Sequence, residues 1–299
     1  MSTSHTTFTG SGDSFKLGYR FQSYWDVPMA AAFFFGEFGA GLFLVSFYFG
    51  YVPGMILGLL STGVGKPYFH MSHMGVPGKS WRAIMRPDRS WISRGLISII
   101  FFIPFGALVV LDAIFGWSGG GTLAKLVQLI AVLAALVVMS YQGFAMSHSS
   151  AIAIWNSGLI PMMSVVYALT SGAAVTLALS QMFGAVNTQL LGHGVIALVV
   201  VNLLVLLSFL HAAYHGTAGA RQSADLLTRE QFRAPFFGLV FGAGIILPLL
   251  LLWLGGVNVF TSLLTALGVV AGFFAFRVLI FKAAVYEPQV NFAARLGLR

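Results

Sequence analysis

Long apolar stretches alternate with short polar segments over most of this chain. Eight of the stretches are each long enough to cross a bilayer, which takes roughly 20 apolar residues of helix. Hydrocarbon offers no partner to backbone N–H and C=O groups, so apolar runs of this length predict helices. The eight predicted spans are residues 28–50, 52–74, 94–116, 122–144, 158–181, 190–214, 235–255 and 259–283.

The second span is the least regular of the eight. Residues 55–60 are apolar, but Gly63, Gly65, Lys66, Pro67, His70 and His73 follow them. We therefore expect its second half to be either short or buried against other helices. The chain shows neither the shorter alternating segments of a β-barrel nor an internal repeat, and the lack of a repeat disfavours a transporter built from inverted repeats.

Composition places the chain in the membrane. Hydrophobic residues make up 58% of it and charged residues 8%, whereas a soluble domain has about 25% charged residues. The net charge of +8 lies in loops that flank spans, where topology and anionic lipid account for it, so we expect no nucleic-acid partner. The chain has no cysteine, which excludes disulfides, iron–sulfur clusters and thiolate metal sites of its own.

The distribution of positive charge predicts the orientation. If the loops are assigned alternately to the two faces, only Lys125 falls on one face, here called the far face. The near face receives Lys16, Arg20, Lys66, Lys79, Arg82, Arg86, Arg89, Arg94, Arg221, Arg229, Arg233, Arg277, Lys282, Arg295 and Arg299. Cytoplasmic loops retain Lys and Arg, so the near face and both termini are expected to be cytoplasmic.

Three segments follow from this pattern. Residues 1–27 form a polar N-terminal segment without the apolar core of a signal peptide, so the first span is expected to direct insertion. Residues 28–285 form an eight-helix membrane domain, and residues 286–299 form a C-terminal tail.

Glu37 is a carboxyl group inside the first span, where it is costly and is expected to face the bundle. The neighbouring Gly36, Ala40 and Gly41 allow close helix contact. Two interpretations remain open for Glu37: a protonated carboxyl that hydrogen-bonds a neighbouring helix, or a proton-handling group at a quinone site. Asp112, near the far end of the third span, is expected to be interfacial.

Histidines are clustered at the near face. His70 and His73, and likewise His211 and His215, are spaced so that each pair shares one helical face. They could ligate haem or another metal, or one could hydrogen-bond a quinone and exchange its proton; a simple interfacial role is the alternative. Haem is disfavoured because two-haem cytochromes place ligand pairs toward both faces, and only His193 lies at the far face.

Two further residues complete the set of candidates. Tyr141, at the end of the fourth span, belongs either to an interfacial aromatic belt or to a polar pocket with His73 and Glu37. Arg277 in the last span either extends to the interface or pairs with Glu37 or a backbone carbonyl.

The loop after the second span carries the most specific motif. It reads His73-Met74-Gly75-Val76-Pro77, then Trp81-Arg82-Ala83, then Ser90-Trp91-Ile92-Ser93-Arg94. This loop resembles the His-Leu-Gly-x-Pro…Ser-Trp-x-Ser-Arg loop of the NrfD, polysulfide reductase and dimethyl sulfoxide reductase anchor proteins, the membrane subunits of molybdopterin oxidoreductases. It departs from that pattern at Met74 and Val76.

The resemblance extends over about residues 28–285. The segment from Gly36 to Leu42 is similar to the Gly/Ala-rich first helix of the family, and the last span with Arg277 is also similar. The tyrosine-ended fourth helix and the entry to the fifth match at Tyr141-Gln142-Gly143, Trp155-Asn156 and Pro161.

The resemblance implies an NrfD-like bundle of eight helices in a bacterial or archaeal inner membrane, with no haem or covalently bound group. It implies menaquinone or ubiquinone bound near the face that carries both termini. A four-cluster ferredoxin-like subunit would dock there and pass electrons between quinone and a molybdenum or tungsten subunit. Such a chain reacts with quinone but does not itself transform the soluble substrate.

Combined with the charge distribution, this predicts specific residues and a cytoplasmic partner. The candidates for the quinone pocket are Glu37, His73, Tyr141, Trp25, His70 and Arg277. The candidates for partner docking are Lys79, Arg82, Arg86, Arg89, Trp91 and Arg94. Two alternatives remain: a haem b anchor, and a transporter or channel lined by Glu37, Asp112, Gln128, Asn202 and Arg277.

Overall fold

The computed structural model describes residues 20–184 and 186–287. Within these ranges all regular secondary structure is helical, apart from a single antiparallel bridge between Phe21 and Val285. The predictions that concern Lys16, Arg295 and Arg299, and most of both terminal segments, lie outside the described residues.

Among the described residues, seven helices are long and apolar enough to cross a membrane. They are α1 (Val27–Tyr48), α4 (Trp91–Phe115), α5 (Thr122–Ser147), α6 (Leu159–Phe183), α7 (Thr188–Tyr214), the continuous helical run Arg233–Leu254, and α11 (Val259–Lys282). Each agrees with a predicted span to within about three residues at either end, the usual uncertainty of a helix boundary. The prediction of an all-helical membrane protein is therefore confirmed.

The second predicted span is helical but is not among the seven. It consists of α2 (Val52–Leu60), a π-helical segment (Ser61–Gly65) and α3 (Lys66–His73). Pro67 has no N–H to donate to the carbonyl four residues earlier, so the regular α-helical ladder cannot continue through this point. The π-helical segment, which is rich in small residues, absorbs this break.

The run Arg233–Leu254 repeats the same device. It begins with the short α9 (Arg233–Pro235), continues as a π-helical segment (Phe236–Ile246) and ends as α10 (Leu247–Leu254). In both broken helices the π-helical segment ends two residues before a proline, Pro67 in one case and Pro248 in the other. A surface helix, α8 (Ala218–Thr228), connects α7 to this run, and a 3₁₀ segment (Pro77–Ile84) lies in the loop before α4.

Helix α1 is the centre of the bundle and packs against α2, α3, α5, α6 and α11. Small residues bring its backbone into direct contact with α6. A Cβ atom added to Gly172 would lie 2.6 Å from the backbone of Gly41, and one added to Gly41 would overlap the carbonyl of Ala168. This is the small-residue packing that lets membrane helices approach closely.

The segments before α1 and after α11 pair with each other at the near face. The side-chain amide of Gln22 donates to the carbonyl of Phe281 at 2.9 Å, and the backbone N–H of Tyr286 donates to the carbonyl of Arg20 at 2.8 Å. The start of α1 and the end of α11 therefore lie side by side at one face of the bundle.

The contact between α1 and α6 generates a stability prediction. Gly172→Ala should lower the thermal midpoint of the detergent-solubilised protein by several degrees, because the added Cβ has no room against Gly41. The matched control is Gly194→Ala in α7, where an added Cβ meets no atom within 4 Å. Alanine is favoured over glycine in a helix by about 1 kcal/mol, so the control should be neutral or stabilising. Equal midpoints for the two variants would contradict the prediction.

Candidate functional site

The near half of the bundle encloses a cluster of polar side chains. Glu37 in α1, Gln142 in α5 and Arg277 in α11 are 0% exposed, and Lys66 in α3 is 4% exposed. Ionisable groups inside a membrane domain are costly, and those present usually pair with each other and mark functional sites. This cluster is therefore the candidate site.

Glu37 and Arg277 form a buried ion pair. The Nη2 atom of Arg277 lies 2.6 Å from Oε2 of Glu37 and donates a hydrogen bond to Oγ of Ser164 in α6, also at 2.6 Å. Nη1 approaches the sulfur of Met146 in α5 at 3.8 Å, and the guanidinium lies over the ring of Phe273. The sequence left open whether Arg277 extends to the interface or pairs with Glu37, and the structure shows the pair. Together with the hydrogen bond to Ser164, the pair joins α1, α6 and α11.

The ion pair leaves hydrogen-bonding capacity unused. Oε1 of Glu37 and Nε of Arg277 are buried and have no hydrogen-bond partner among the described residues. The hydroxyl of Tyr167 is also buried without a hydrogen-bond partner among the described residues. The ring of Tyr167 stacks on Phe273 and Phe276 beside Arg277. Buried polar atoms usually have a hydrogen-bond partner, often an ordered water, so these three groups are the ones available to bind a polar ligand.

Lys66 lies inside the bundle, which corrects its assignment to the charges of the near face. Its Nζ atom donates to Oε1 of Gln142 at 2.9 Å and lies 3.4 Å from the carbonyl oxygen of Ala32. The ammonium group also lies over the rings of Phe33 and Tyr141, 5.7 and 5.2 Å from their centroids. Lys66 lies in the second half of the second predicted span, and burial against other helices was one of the two expectations for that half. Assigning Lys66 to a loop overlooked this possibility.

Tyr141 borders the cluster. Its residue is 6% exposed, with Lys66 over its ring, and the ring packs so closely on Gly95 of α4 that an added Cβ there would overlap it. The amide of Gln142, the next residue, donates to the carbonyl of Phe33 at 3.1 Å. The structure thus places Tyr141 next to Lys66.

His73 has a partner that the sequence analysis missed. Its Nδ1 atom lies 2.9 Å from Oδ1 of Asp26, and the two side chains are 22% and 53% exposed. Asp26 is also the N-cap of α1, where it accepts a hydrogen bond from the backbone N–H of Met29 at 3.3 Å. An Asp followed two residues later by a proline is a recognisable signal for the start of a helix, and it could have placed Asp26 at this face.

The other two pocket candidates have different surroundings. Trp25 stacks on Trp155 with ring centroids 4.9 Å apart and packs edge-on against Phe281. It therefore belongs to an aromatic cluster that closes the near end of the bundle. His70 is half-buried, one helical turn beyond Lys66, and its Nδ1 atom has no hydrogen-bond partner among the described residues.

The docking candidates fall into two groups. Four of them are exposed and have no acidic partner among residues 20–184 and 186–287: Lys79, Arg82, Arg86 and Arg89. Trp91 instead stacks on Phe144 at 4.3 Å, and Arg94 lies over Trp91 and donates to the carbonyls of Pro87 and Asp88. These two residues hold the loop together and are both partly exposed. Trp81, which lies in the same loop and was not among the docking candidates, is 58% exposed.

The residues of the alternative hypotheses are engaged locally. Asp112 accepts hydrogen bonds from the N–H and hydroxyl of Ser118 at the far end of α4. Asn202 donates to the hydroxyl of Thr170 at 3.2 Å. His211 and His215 are exposed, with ring centroids 4.2 Å apart. In the described part of the chain, no three His, Asp or Glu side chains are grouped so that they could hold a metal ion.

Comparison with known proteins gives one match. The family model described as "Polysulphide reductase, NrfD" matches residues 17–288, which include every residue of the cluster. No curated protein matches the chain.

The ion pair generates a prediction about stability. Arg277→Met should lower the free energy of unfolding by about 3–5 kcal/mol, because it leaves the buried carboxyl of Glu37 without its partner. The double variant Glu37→Gln/Arg277→Met removes both charges and should recover most of this loss, as measured by denaturation in detergent.

A solvent-exposed pair provides the matched control. Arg229 lies 3.1 Å from Asp225, with its side chain 71% exposed, so Arg229→Met should cost no more than about 1 kcal/mol. If the double variant at Glu37 and Arg277 is as unstable as Arg277→Met alone, the unpaired charge is not the cause of the loss.

Proposed function

The chain belongs to the NrfD family, whose members are membrane subunits of polysulphide reductase-like complexes, and from this premise we propose that it exchanges electrons with membrane quinone. The observation that carries the proposal is the group of polar side chains at and just inside the near face. They present hydrogen-bond donors and a charged interior next to apolar helices. Bound menaquinone or ubiquinone would supply two-electron, two-proton redox chemistry at this place.

The residues present fit a quinone. A quinone carbonyl needs a hydrogen-bond donor and a nearby proton source. His73 provides both in its protonated form, because Asp26 accepts a hydrogen bond from Nδ1–H and the Nε2–H on the other side of the ring is left to donate. The hydroxyl of Tyr141 is a second donor, and its ring is held in place between Gly95 and Lys66.

The remaining groups would handle protons and exclude water. Asp26, with half of its side chain exposed, connects His73 to the solution and can return a proton to it. Glu37, with its unpaired Oε1 atom, provides a proton acceptor deeper in the bundle. The aromatic cluster of Trp25, Trp155 and Phe281 closes the near end of the helices beside these groups.

The finer topology is also part of the proposal. The helical run from Val52 to His73 would be the eighth span, because 22 residues of helix extend about 33 Å, the thickness of the hydrocarbon core. The near face would be cytoplasmic, as the distribution of Lys and Arg requires. The membrane would be the inner membrane of a bacterium or an archaeon.

The partners would dock on the exposed loop before α4. Lys79, Arg82, Arg86 and Arg89 give this surface a strong positive charge, and Trp81 provides an exposed aromatic anchor. We propose that an acidic face of a four-cluster ferredoxin-like subunit binds here. That subunit would connect the quinone site with a molybdopterin subunit that carries the soluble substrate.

The first test concerns the quinone site. In the assembled complex, His73→Ala and Tyr141→Phe should each lower quinone-linked turnover about 100-fold to 1,000-fold, the usual effect of losing one hydrogen bond to a developing charge. Activity of the soluble subunits with an artificial dye should remain.

Matched controls are His211→Ala and Tyr48→Phe, since both residues are exposed and lie outside the cluster. Both control variants should retain quinone turnover. Near-normal quinone activity in His73→Ala and Tyr141→Phe would show that the site lies elsewhere. A collapse of dye activity as well would show that these two residues act on the structure.

The second test concerns docking. Arg82→Glu/Arg86→Glu should release the soluble subunits from the membrane while the anchor stays in it, because the reversed charges repel an acidic partner. Binding of the unaltered complex should weaken with salt, since exposed charges are screened over roughly 8–10 Å at physiological ionic strength. The control is Lys125→Glu, an exposed residue at the far face, which should leave the complex intact. Retention of the whole complex by the double variant would exclude this surface.

A further inference from the structure

Lys66 is a buried cation to which the proposed electron exchange assigns no part. It is 4% exposed, yet the three salt bridges of the described residues join other groups: His73 with Asp26, Arg229 with Asp225, and Arg277 with Glu37. A lysine without a carboxylate partner inside a membrane domain is expensive. A lysine in such a place is therefore expected to have a function, such as binding a ligand of opposite charge.

The bundle holds the ammonium group entirely with neutral groups. Its two hydrogen-bond acceptors are the amide oxygen of Gln142 and the carbonyl of Ala32, and its two aromatic neighbours are Phe33 and Tyr141. Carbonyl dipoles and ring faces stabilise a cation, and the nearby carboxylate of Glu37 is already paired with Arg277. When protonated, Lys66 therefore adds one positive charge to the cluster in a medium of low dielectric constant.

The backbone is shaped to bring Lys66 to this place. The π-helical segment Ser61–Gly65 ends directly before it, and single turns of π-helix are frequent at functional sites. Gly36 of α1 leaves room for the side chain, because a Cβ atom there would lie 2.8 Å from Cδ of Lys66. Both features point the lysine across the bundle toward α5.

The position of Lys66 relative to His73 indicates a function for the charge of the lysine. Lys66 precedes His73 by seven residues on the same helix, which is about two turns and about 10 Å. His73 lies at the near face with its side chain partly exposed, while Lys66 lies deeper and contacts the ring of Tyr141. The two residues would therefore occupy the outer and the inner end of one site, with Tyr141 beside the inner end.

We infer that Lys66 is the anion-positioning residue of this site, which holds the oxygen atom of the quinone ring that becomes negatively charged on reduction. The inference rests on the proposed quinone function and adds a ligand preference to it. The site should bind a quinone that carries a negative charge more tightly than a neutral quinone of the same shape. Removal of the charge of Lys66 should abolish that preference.

Two nearly identical ligands test the preference. 2-Hydroxy-1,4-naphthoquinone is an anion at neutral pH, and 1,4-naphthoquinone is its neutral counterpart. Binding of each to the detergent-solubilised full chain can be followed by quenching of tryptophan fluorescence. Lys66→Met should weaken binding of the anion about 1,000-fold, as expected for loss of one charge about 4 Å from the anion at an effective dielectric constant of about 20. Binding of the neutral quinone should change less than about threefold.

A second variant cancels the charge without removing the lysine. Gln142→Glu is nearly isosteric and would place a carboxylate about 2.9 Å from Nζ of Lys66. It should reproduce the selective loss of anion binding, whereas Lys66→Arg should retain the preference for the anion. Lys125→Met, an exposed lysine at the far face, is the control and should leave both affinities unchanged.

The outcomes separate this inference from the proposed function. If the unaltered protein binds neither naphthoquinone, the proposed quinone site itself is wrong. If it binds both, and Lys66→Met weakens both equally or changes neither, the quinone site stands but Lys66 does not position an anion. Selective loss of the anion in both Lys66→Met and Gln142→Glu supports the inference.

Discussion

The ion pair between Glu37 and Arg277, two charges buried among membrane helices, is the interaction on which the rest of this structure depends. The pair connects the first helix to the last, and Ser164 adds α6 to the connection. Breaking such a pair is costly because one charge is left unpaired in a medium of low dielectric constant. The ion pair and the contact with Ser164 therefore fix the distances between α1, α6 and α11 in the near half of the bundle, which contains the other polar groups.

Glycines of α1 make this arrangement possible because they remove the side chains that would keep its neighbours apart. Gly36 leaves space for the side chain of Lys66, and Gly41 lies against the backbone of α6. The broken helix before His73 completes the arrangement: its π-helical segment changes the direction in which the residues after Gly65 point. Helix packing and the placement of Lys66 thus depend on the same few glycines. A larger residue at Gly36 would displace Lys66, and one at Gly41 would displace α6.

Much of this could be predicted from the sequence, because the information is local. The length of each apolar run determines the helix bounds, and the cost of a carboxyl in hydrocarbon singles out Glu37. The surroundings of Lys66 could not be predicted, because its partners Gln142 and Ala32 come from distant parts of the chain. The packing of Trp91 and Arg94 could not be predicted for the same reason. Their exposure depends on Phe144 and on the fold of their own loop, which charge and motif do not reveal.

The pairing of the terminal segments at the near face has a mechanical consequence. Gln22 and Tyr286 connect the chain just before α1 with the chain just after α11, so the two helices that carry Glu37 and Arg277 are fastened together at their outer ends. A force applied to either end of the chain would therefore be shared by both helices and would not draw one past the other. The first and last helices are thus joined at the near face, much as two consecutive helices are joined by a short loop.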